Sequence, residues 1–174
     1  MCFNFRLAIQ MLVCCLLQPA FADDAVFTDK SAAKAAALYN FAHLTEWPDL
    51  PADEFRICVL GSDSMLAALD PFKKQQLKGH PVTITNISTA NKIHSCQILF
   101  VGKTEHASIG NLASKIGHAP VMVVAEEDNF DPKDVIILLV DQEGRIAFKI
   151  NRSAALANSL AVSSKLLKLA LQIY

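Results

Sequence analysis

The sequence predicts an α/β fold: a mainly parallel, doubly wound sheet with helices on both faces and an antiparallel C-terminal hairpin. Continuous apolar runs such as CQILFVG (96–102) and APVMVVAE (119–126) are typical of strands buried on both faces. Segments of helical spacing alternate with these runs. The last apolar run, DVIILLV, is followed by a turn and a second β-rich segment, which indicates the hairpin.

The first 22 residues predict a secretory signal peptide. Arg6 precedes an apolar run from Leu7 to Leu17, and Ala20-Phe21-Ala22 gives an A-x-A cleavage pattern. The run is too short to span a bilayer. We therefore expect residues 23–174 to form one secreted domain, because their number suits a single core.

The elements of that domain follow from local pattern. The alanine-rich stretch Ser31–Glu46 predicts a helix that ends near Trp47, because Pro48 disfavours helical geometry in the residue before it. The next segments predict, in order, a strand (55–61), a helix (63–72), strands (81–87 and 96–102), a helix capped by Thr104 (104–117) and a strand (119–126).

The C-terminal part predicts a hairpin and a long helix. Two strands within 134–151 are joined through Asp141-Gln142-Glu143-Gly144, where Gly144 suits a positive φ. From Ser153 to Tyr174 we expect one helix. Its predicted apolar stripe consists of Leu156, Leu160, Leu167 and Leu171.

Composition and motifs lower the expectation of several function classes. After residue 22 the chain has 15 cations (all 16 except Arg6) against 17 anions, which does not favour nucleic acid or an anionic membrane. LFVGKTEH lacks the first glycine of a phosphate-binding loop, since Gln97 stands there. The five histidines do not have metal-ligand spacing. No G-x-S-x-G elbow appears, so a hydrolase is the least favoured alternative, and we expect no cofactor.

Two cysteines remain after residue 22, Cys58 and Cys96. An even count in an oxidising compartment predicts one disulfide. Cys58 lies in the first predicted strand and Cys96 begins the third, and a doubly wound sheet commonly makes these strands neighbours. The alternative is two buried free thiols.

Two strand-to-helix turns form a candidate ligand crevice at the carboxyl edge of the sheet, where open α/β sheets bind ligands. Its residues are Gly61, Ser62, Ser64, Gly102, Lys103 and Thr104. Helix N-termini at this edge suit a small anion. The alternative is a pair of ordinary turns with capping hydroxyls.

The only tryptophan, Trp47, has two interpretations. In the first, Trp47-Pro48 closes the helix and packs its end onto the sheet. In the second, Trp47, Tyr39 and His43 contact a partner or a second copy, because aromatic residues dominate binding hot spots.

Five segments in order resemble the YfiR family of bacterial periplasmic proteins. They are KAAALYNFAHLTEWP, RICVLG, LKGHPVTITNI, CQILFVG and GRIAFKINRSAALANSLAVSSKLLKLA, where Asn151 leads the final segment. The chain departs from the family pattern at Lys133-Asp134, where relatives often have Gly-Gly, and it has no cysteines for a second, C-terminal disulfide.

The resemblance implies a non-enzymatic periplasmic repressor. Such a protein binds the periplasmic domain of an inner-membrane diguanylate cyclase, or of another sensor protein, and lowers its output of cyclic-di-GMP where the partner is a cyclase. The resemblance also implies a homodimer that an outer-membrane lipoprotein sequesters. The alternative function is a periplasmic small-ligand sensor that uses the crevice around Gly61 and Gly102.

Overall fold

The structure is a computed structural model that describes residues 23–51, 53–88, 90–103, 115–126 and 135–174. The predicted signal peptide, most of the predicted 104–117 helix and Lys133-Asp134 lie outside these residues. The helices are α1 (Asp23–His43), α2 (Asp63–Leu69), α3 (Arg152–Ala157) and α4 (Ser164–Leu169), with 3-10 helices at Asp70–Lys74 and Ala90–Ser95. The strands are β1 (Thr45–Glu46), β2 (Phe55–Leu60), β3 (Gln76–Leu77), β4 (His80–Asn86), β5 (Ile98–Val101), β6 (Met122–Glu126), β7 (Ile137–Gln142), β8 (Arg145–Ile150), β9 (Ala161–Val162) and β10 (Gln172–Ile173).

The main sheet has eight strands in the order β10-β8-β7-β6-β5-β2-β4-β3. Strands β4, β2, β5, β6 and β7 run parallel, and β7 and β8 form an antiparallel hairpin. The chain moves from β2 to one neighbour, β4, and then returns to the other, β5, so the doubly wound order has its switch point between β2 and β5. The predicted fold class is confirmed.

Two hydrophobic clusters pack on opposite faces of the sheet. Alternate residues of β2 divide between them: Phe55, Ile57 and Val59 join the first cluster, and Cys58 and Leu60 join the second. We call the side of the first cluster, which also contains residues of α1 to α4, the helical face. We call the other side the disulfide face. Strands β5 and β6 are buried along their whole length because both faces are covered.

Helix α1 is longer than predicted at its start and shorter at its end. It covers Asp23–His43, and Thr45-Glu46 form a short strand instead of a last helical turn. Thr45 pairs antiparallel with Val162 of β9. The Nζ atom of Lys78 donates a hydrogen bond to the carbonyl oxygen of His43, which places a cation at the negative end of the helix.

The predicted hairpin is confirmed. Glu143 and Gly144 have φ angles of 52° and 82°, as a two-residue hairpin turn with matching twist requires. The backbone N–H of Gly144 also donates to Oδ1 of Asp141, at 2.8 Å. The Asp141 side chain therefore stabilises the positive φ that Gly144 adopts in the turn.

The prediction of a single helix from Ser153 to Tyr174 is wrong. The segment forms α3, β9, α4 and β10 instead. Ser159 adopts a positive φ of 59°, and its N–H donates to the carbonyl of Leu156, while the N–H of Leu160 donates to that of Ala155. This is a Schellman cap with serine in the usual glycine position.

The burial of Leu160 explains why the helix ends before Ser159 although the leucine spacing favours a longer helix. Leu160 and Leu166 are each 1% exposed. The predicted stripe would have buried Leu156 and Leu171 on the same side as Leu160, but these two side chains are 60% and 49% exposed. A continuous helix would not separate these side chains in this way. Tertiary packing of Leu160 therefore decides where α3 ends.

Candidate functional site

The structure brings the predicted crevice residues together at the switch point of the sheet. Gly61 follows β2 and Gly102 follows β5, and these two strands are neighbours. The N–H of Gly102 donates to the carbonyl of Leu60, at 2.8 Å. Four of the six predicted residues, Gly61, Ser62, Ser64 and Gly102, thus cluster at the carboxyl ends of β2 and β5.

The two turns touch through their backbones. A Cβ atom on Gly102 would lie 2.3 Å from the carbonyl oxygen of Gly61 and 2.9 Å from Cβ of Ser62. Only glycine permits this approach. The space between the two glycines is therefore filled by main chain.

The side chains of the crevice already have local contacts. The Ser62 hydroxyl caps α2 by accepting from the N–H of Met65, and its oxygen lies 3.3 Å from that of Ser64. Nζ of Lys103 lies 3.9 Å from Oε2 of Glu126. Thr104 is outside the described residues. The capping role that we expected as the alternative is thus present for Ser62, and ligand binding here remains a prediction.

An ion pair adjoins this edge. Glu126 ends β6 and is 8% exposed, and its Oε2 lies 2.9 Å from Nζ of Lys34 on α1. Together with Lys103, this places two cations around one carboxylate. The cluster attaches α1 to the carboxyl edge of the sheet.

Cys58 and Cys96 form a disulfide with their Cα atoms 5.8 Å apart. Cys58 is 0% and Cys96 1% exposed. Cys96 directly follows the Ala90–Ser95 3-10 helix and lies two residues before β5, whereas the sequence predicted that it begins the strand. The bridge connects β2 to the segment that leads into its neighbour.

Trp47 packs in the core, and its predicted companions lie nearer the surface. Trp47 is 8% exposed, and its ring meets that of Phe55 edge-on at a centroid distance of 5.2 Å. The Tyr39 hydroxyl donates a hydrogen bond to the carbonyl oxygen of Gln76. The centroid of the Tyr39 ring lies 4.7 Å from the centroid of the His43 ring. The burial of Trp47 favours the packing interpretation, while a partner contact through Tyr39 and His43 stays a prediction.

Sequence reasoning missed an exposed apolar surface at the C-terminus. Among the residues whose burial is described, the large hydrophobic side chains that are exposed all lie in the C-terminal segment, residues 151–174. We call them the C-terminal patch: Leu156, Leu169, Leu171, Ile173 and Tyr174. The helix-capping residues Asn151 and Ser163 were the available signal that this segment forms two short helices rather than one.

Within the described part of the chain, neither a membrane-spanning helix nor a cluster of metal-binding side chains is present. No described helix has the length and apolarity to cross a membrane. Nor do three or more His, Cys, Asp or Glu side chains gather in a metal-binding arrangement within those residues.

Comparisons with known proteins identify one family. The model of the family described as YfiR/HmsC-like matches residues 31–171 and confirms the resemblance found in the sequence. No curated protein matches the chain. Among solved structures, one described as the ABC domain in complex with L-Trp from Streptococcus pneumonia aligns at 12% identity and a TM-score of 0.49, over 69% of this chain and 55% of that one. The chain thus spans about half the length of that structure.

Proposed function

Because the chain belongs to the YfiR/HmsC-like family, we propose that it is a periplasmic, non-enzymatic repressor of an inner-membrane diguanylate cyclase. In this proposal the signal peptide is removed after residue 22, and the mature domain binds the periplasmic part of the cyclase and lowers cyclic-di-GMP output. A homodimer is the binding form, and an outer-membrane lipoprotein relieves repression by sequestering it. The single observation that carries the proposal is the family match, which spans nearly all of the mature domain.

The C-terminal patch supports a binding role because its members are exposed and belong to one segment, in which β10 and α3 are neighbours. The N–H of Tyr174 donates to the carbonyl of Ile150, and the N–H of Arg152 donates to the carbonyl of Tyr174, so β10 lies against the start of α3. Leu156 follows Arg152 by one helical turn and shares its side of α3. A group of exposed large apolar side chains in one part of a protein is typical of an interaction site.

Charge around the patch suggests the chemistry of the partner. Residues 145–174 contain five cations and no Asp or Glu: Arg145, Lys149, Arg152, Lys165 and Lys168. Complementary charge steers association and suppresses wrong partners. We therefore place the cyclase contact at the C-terminal patch and expect an apolar surface with an acidic rim on the cyclase.

The test measures cyclic-di-GMP and partner capture in the same strain. Deleting the gene should raise cyclic-di-GMP, and the wild-type protein should restore the low level and recover the cyclase from solubilised membranes. Unchanged cyclic-di-GMP after deletion, in a strain that expresses the protein, would contradict the regulatory function.

A matched pair of variants tests the location of the contact. Leu169→Asp adds an acid to an exposed position of the patch, and Ala67→Asp adds one to an exposed position of α2. We expect Leu169→Asp to lose cyclase capture and repression while Ala67→Asp retains both. If both variants repress normally, the contact lies elsewhere, and Tyr39 and His43 become the next positions to change.

The second candidate function is a small-ligand sensor at the carboxyl edge of the sheet. Its supporting observation is the position of the two turns at the switch point, where doubly wound sheets bind ligands. Because main chain fills the space between Gly61 and Gly102, the ligand in this proposal contacts side chains of the turns, such as Lys103. A thermal-shift screen with anions, nucleotides and amino acids tests it. A hit that Lys103→Gln abolishes would support this site, and a screen without hits would contradict it.

A further inference from the structure

The disulfide face carries an open pocket of about 440 Å³ whose floor is formed by β2 and β4. Arg56 and Cys58 of β2 contribute to it, as do Thr83 and Thr85 of β4. Alternate β4 residues turn away: Val82 joins the core cluster on the helical face. The polar side of β4 therefore faces the pocket, and we call this site the disulfide pocket.

The wall of the disulfide pocket is held to its floor by covalent and hydrogen bonds. The wall is lined by Lys92 and Ser95 of the Ala90–Ser95 3-10 helix and by Ile87, the residue that follows β4. Cys96, the residue after Ser95, is bonded to Cys58 in the floor. A pocket whose floor and wall are connected in this way keeps its shape before a ligand arrives, which lowers the entropic cost of binding.

The guanidinium of Arg56 is oriented by its neighbours. Its Nη2 forms an ion pair with Glu54, and its Nη1 lies 3.4 Å from the carbonyl oxygen of Ser95. Glu54 also accepts a hydrogen bond from the Thr83 hydroxyl, at 2.6 Å. A guanidinium has five N–H donors, so these contacts leave others for a ligand.

Lys92 and Thr85 provide the remaining polar groups. Within the described part of the chain, neither the Lys92 ammonium nor the Thr85 hydroxyl has an ion pair or hydrogen bond to another side chain. Glu54 offsets the charge of Arg56, so the charge left for a ligand is the single positive charge of Lys92. A carboxylate or phosphate group matches this combination of ammonium, guanidinium and hydroxyl.

We propose that the disulfide pocket binds a small organic anion that carries one carboxylate or phosphate group. The anionic group lies between Lys92 and Arg56 and accepts from Thr85, and the rest of the ligand extends towards solvent, because Ile87 and the two cysteines are at most 3% exposed. A volume of about 440 Å³ is within the usual range of small-molecule sites. The proposal is independent of the regulatory function, because the pocket lies over β2 and β4 whereas the C-terminal patch lies at the β10 end of the sheet.

The first experiment is calorimetric titration of the secreted, oxidised protein with butyrate, with inorganic phosphate and with neutral butyramide. We expect saturable binding of at least one anion and none of butyramide. Butyrate alone would identify a carboxylate site, phosphate alone a phosphate site, and both a general anion site. The absence of saturable binding by either anion would overturn the proposal.

Variants then locate the binding. Lys92 is exposed, so Lys92→Gln should fold normally, and it should raise the Kd about tenfold because a charged hydrogen-bond donor is lost. Lys73→Gln removes a lysine that is also exposed but lies outside the pocket, and it should leave the Kd unchanged. An unchanged Kd in Lys92→Gln, or an equal change in both variants, would contradict this location.

Discussion

The central strands and the C-terminal segment bury their side chains in opposite ways. In β2, β5 and β6, every residue except Arg56 is buried. Between Arg152 and Tyr174, short helices and two-residue strands bury few side chains and expose several leucines. The difference fits a division of roles in which the centre supplies stability and the C-terminal segment, in our proposal, offers surface to a partner.

The largest expected effect breaks the centre and leaves the C-terminal surface as a control. Phe100→Ala removes a side chain that is 0% exposed and should lower the free energy of unfolding by about 3–5 kcal/mol. Leu169→Ala removes one that is 61% exposed and should change it by no more than about 0.5 kcal/mol. Chemical denaturation measures both, and similar losses in the two variants would contradict the division.

Loss of the disulfide should be the next largest effect. Closing a separation of 38 residues stabilises a fold by about 4 kcal/mol on the chain-entropy model. Reductant should therefore lower the Tm of the wild-type protein and should not affect the double variant Cys58→Ala/Cys96→Ala. Because the bridge belongs to the centre, partner capture well below the Tm should remain. Two titratable thiols in secreted, denatured protein would contradict the pairing.

The smallest effect is expected at the β7–β8 hairpin, which joins the two regions. Nζ of Lys30 donates to the Asp141 carboxylate, and this bond, with a second from the N–H of Gly144, holds the pKa of Asp141 below its usual 3.8. A depressed folded-state pKa stabilises the protein above pH 3.8, and that contribution is lost as the pH falls through the folded-state value.

Asp141→Asn and Lys30→Gln test this linkage. Both variants should have a lower Tm than the wild type near neutral pH, and the difference should shrink as the pH falls below 3.8. The effect is small because both partners are solvent-exposed. A Tm difference that stays constant down to pH 2.5 would show that the ion pair does not titrate with Asp141.

The same two regions show how far the sequence predicts the fold. CQILFVG and APVMVVAE predict strands correctly because a fully buried parallel strand is apolar at every position, so local pattern and tertiary burial agree. In the last segment they disagree. Leucine and lysine spacing favours a helix through Leu160, but this side chain is buried by a turn in which Ser159 adopts a positive φ. The leucine spacing does not predict that turn, and the local sign of a new helix is the capping residue Ser163.

The candidate sites show a similar limit. The sequence places Gly61 and Gly102 at one sheet edge, because strand order follows from doubly wound topology. It does not show that their backbones touch, since this depends on how two turns pack. The disulfide pocket was also missed, because Arg56, Thr85 and Lys92 are far apart in sequence and each is unremarkable in its own segment.

The single disulfide has a consequence for maturation of the secreted chain. Once residues 1–22 are removed, as we expect, two cysteines allow only one intramolecular pairing, so an oxidase is sufficient and no isomerase is needed to correct errors. The sulfurs of the folded protein are inaccessible, because Cys58 and Cys96 are 0% and 1% exposed. An oxidase must therefore reach them before the 3-10 helix Ala90–Ser95 has packed onto the sheet. For the exported chain that we propose, oxidation must therefore precede the completion of folding, and a chain that folds first keeps its thiols.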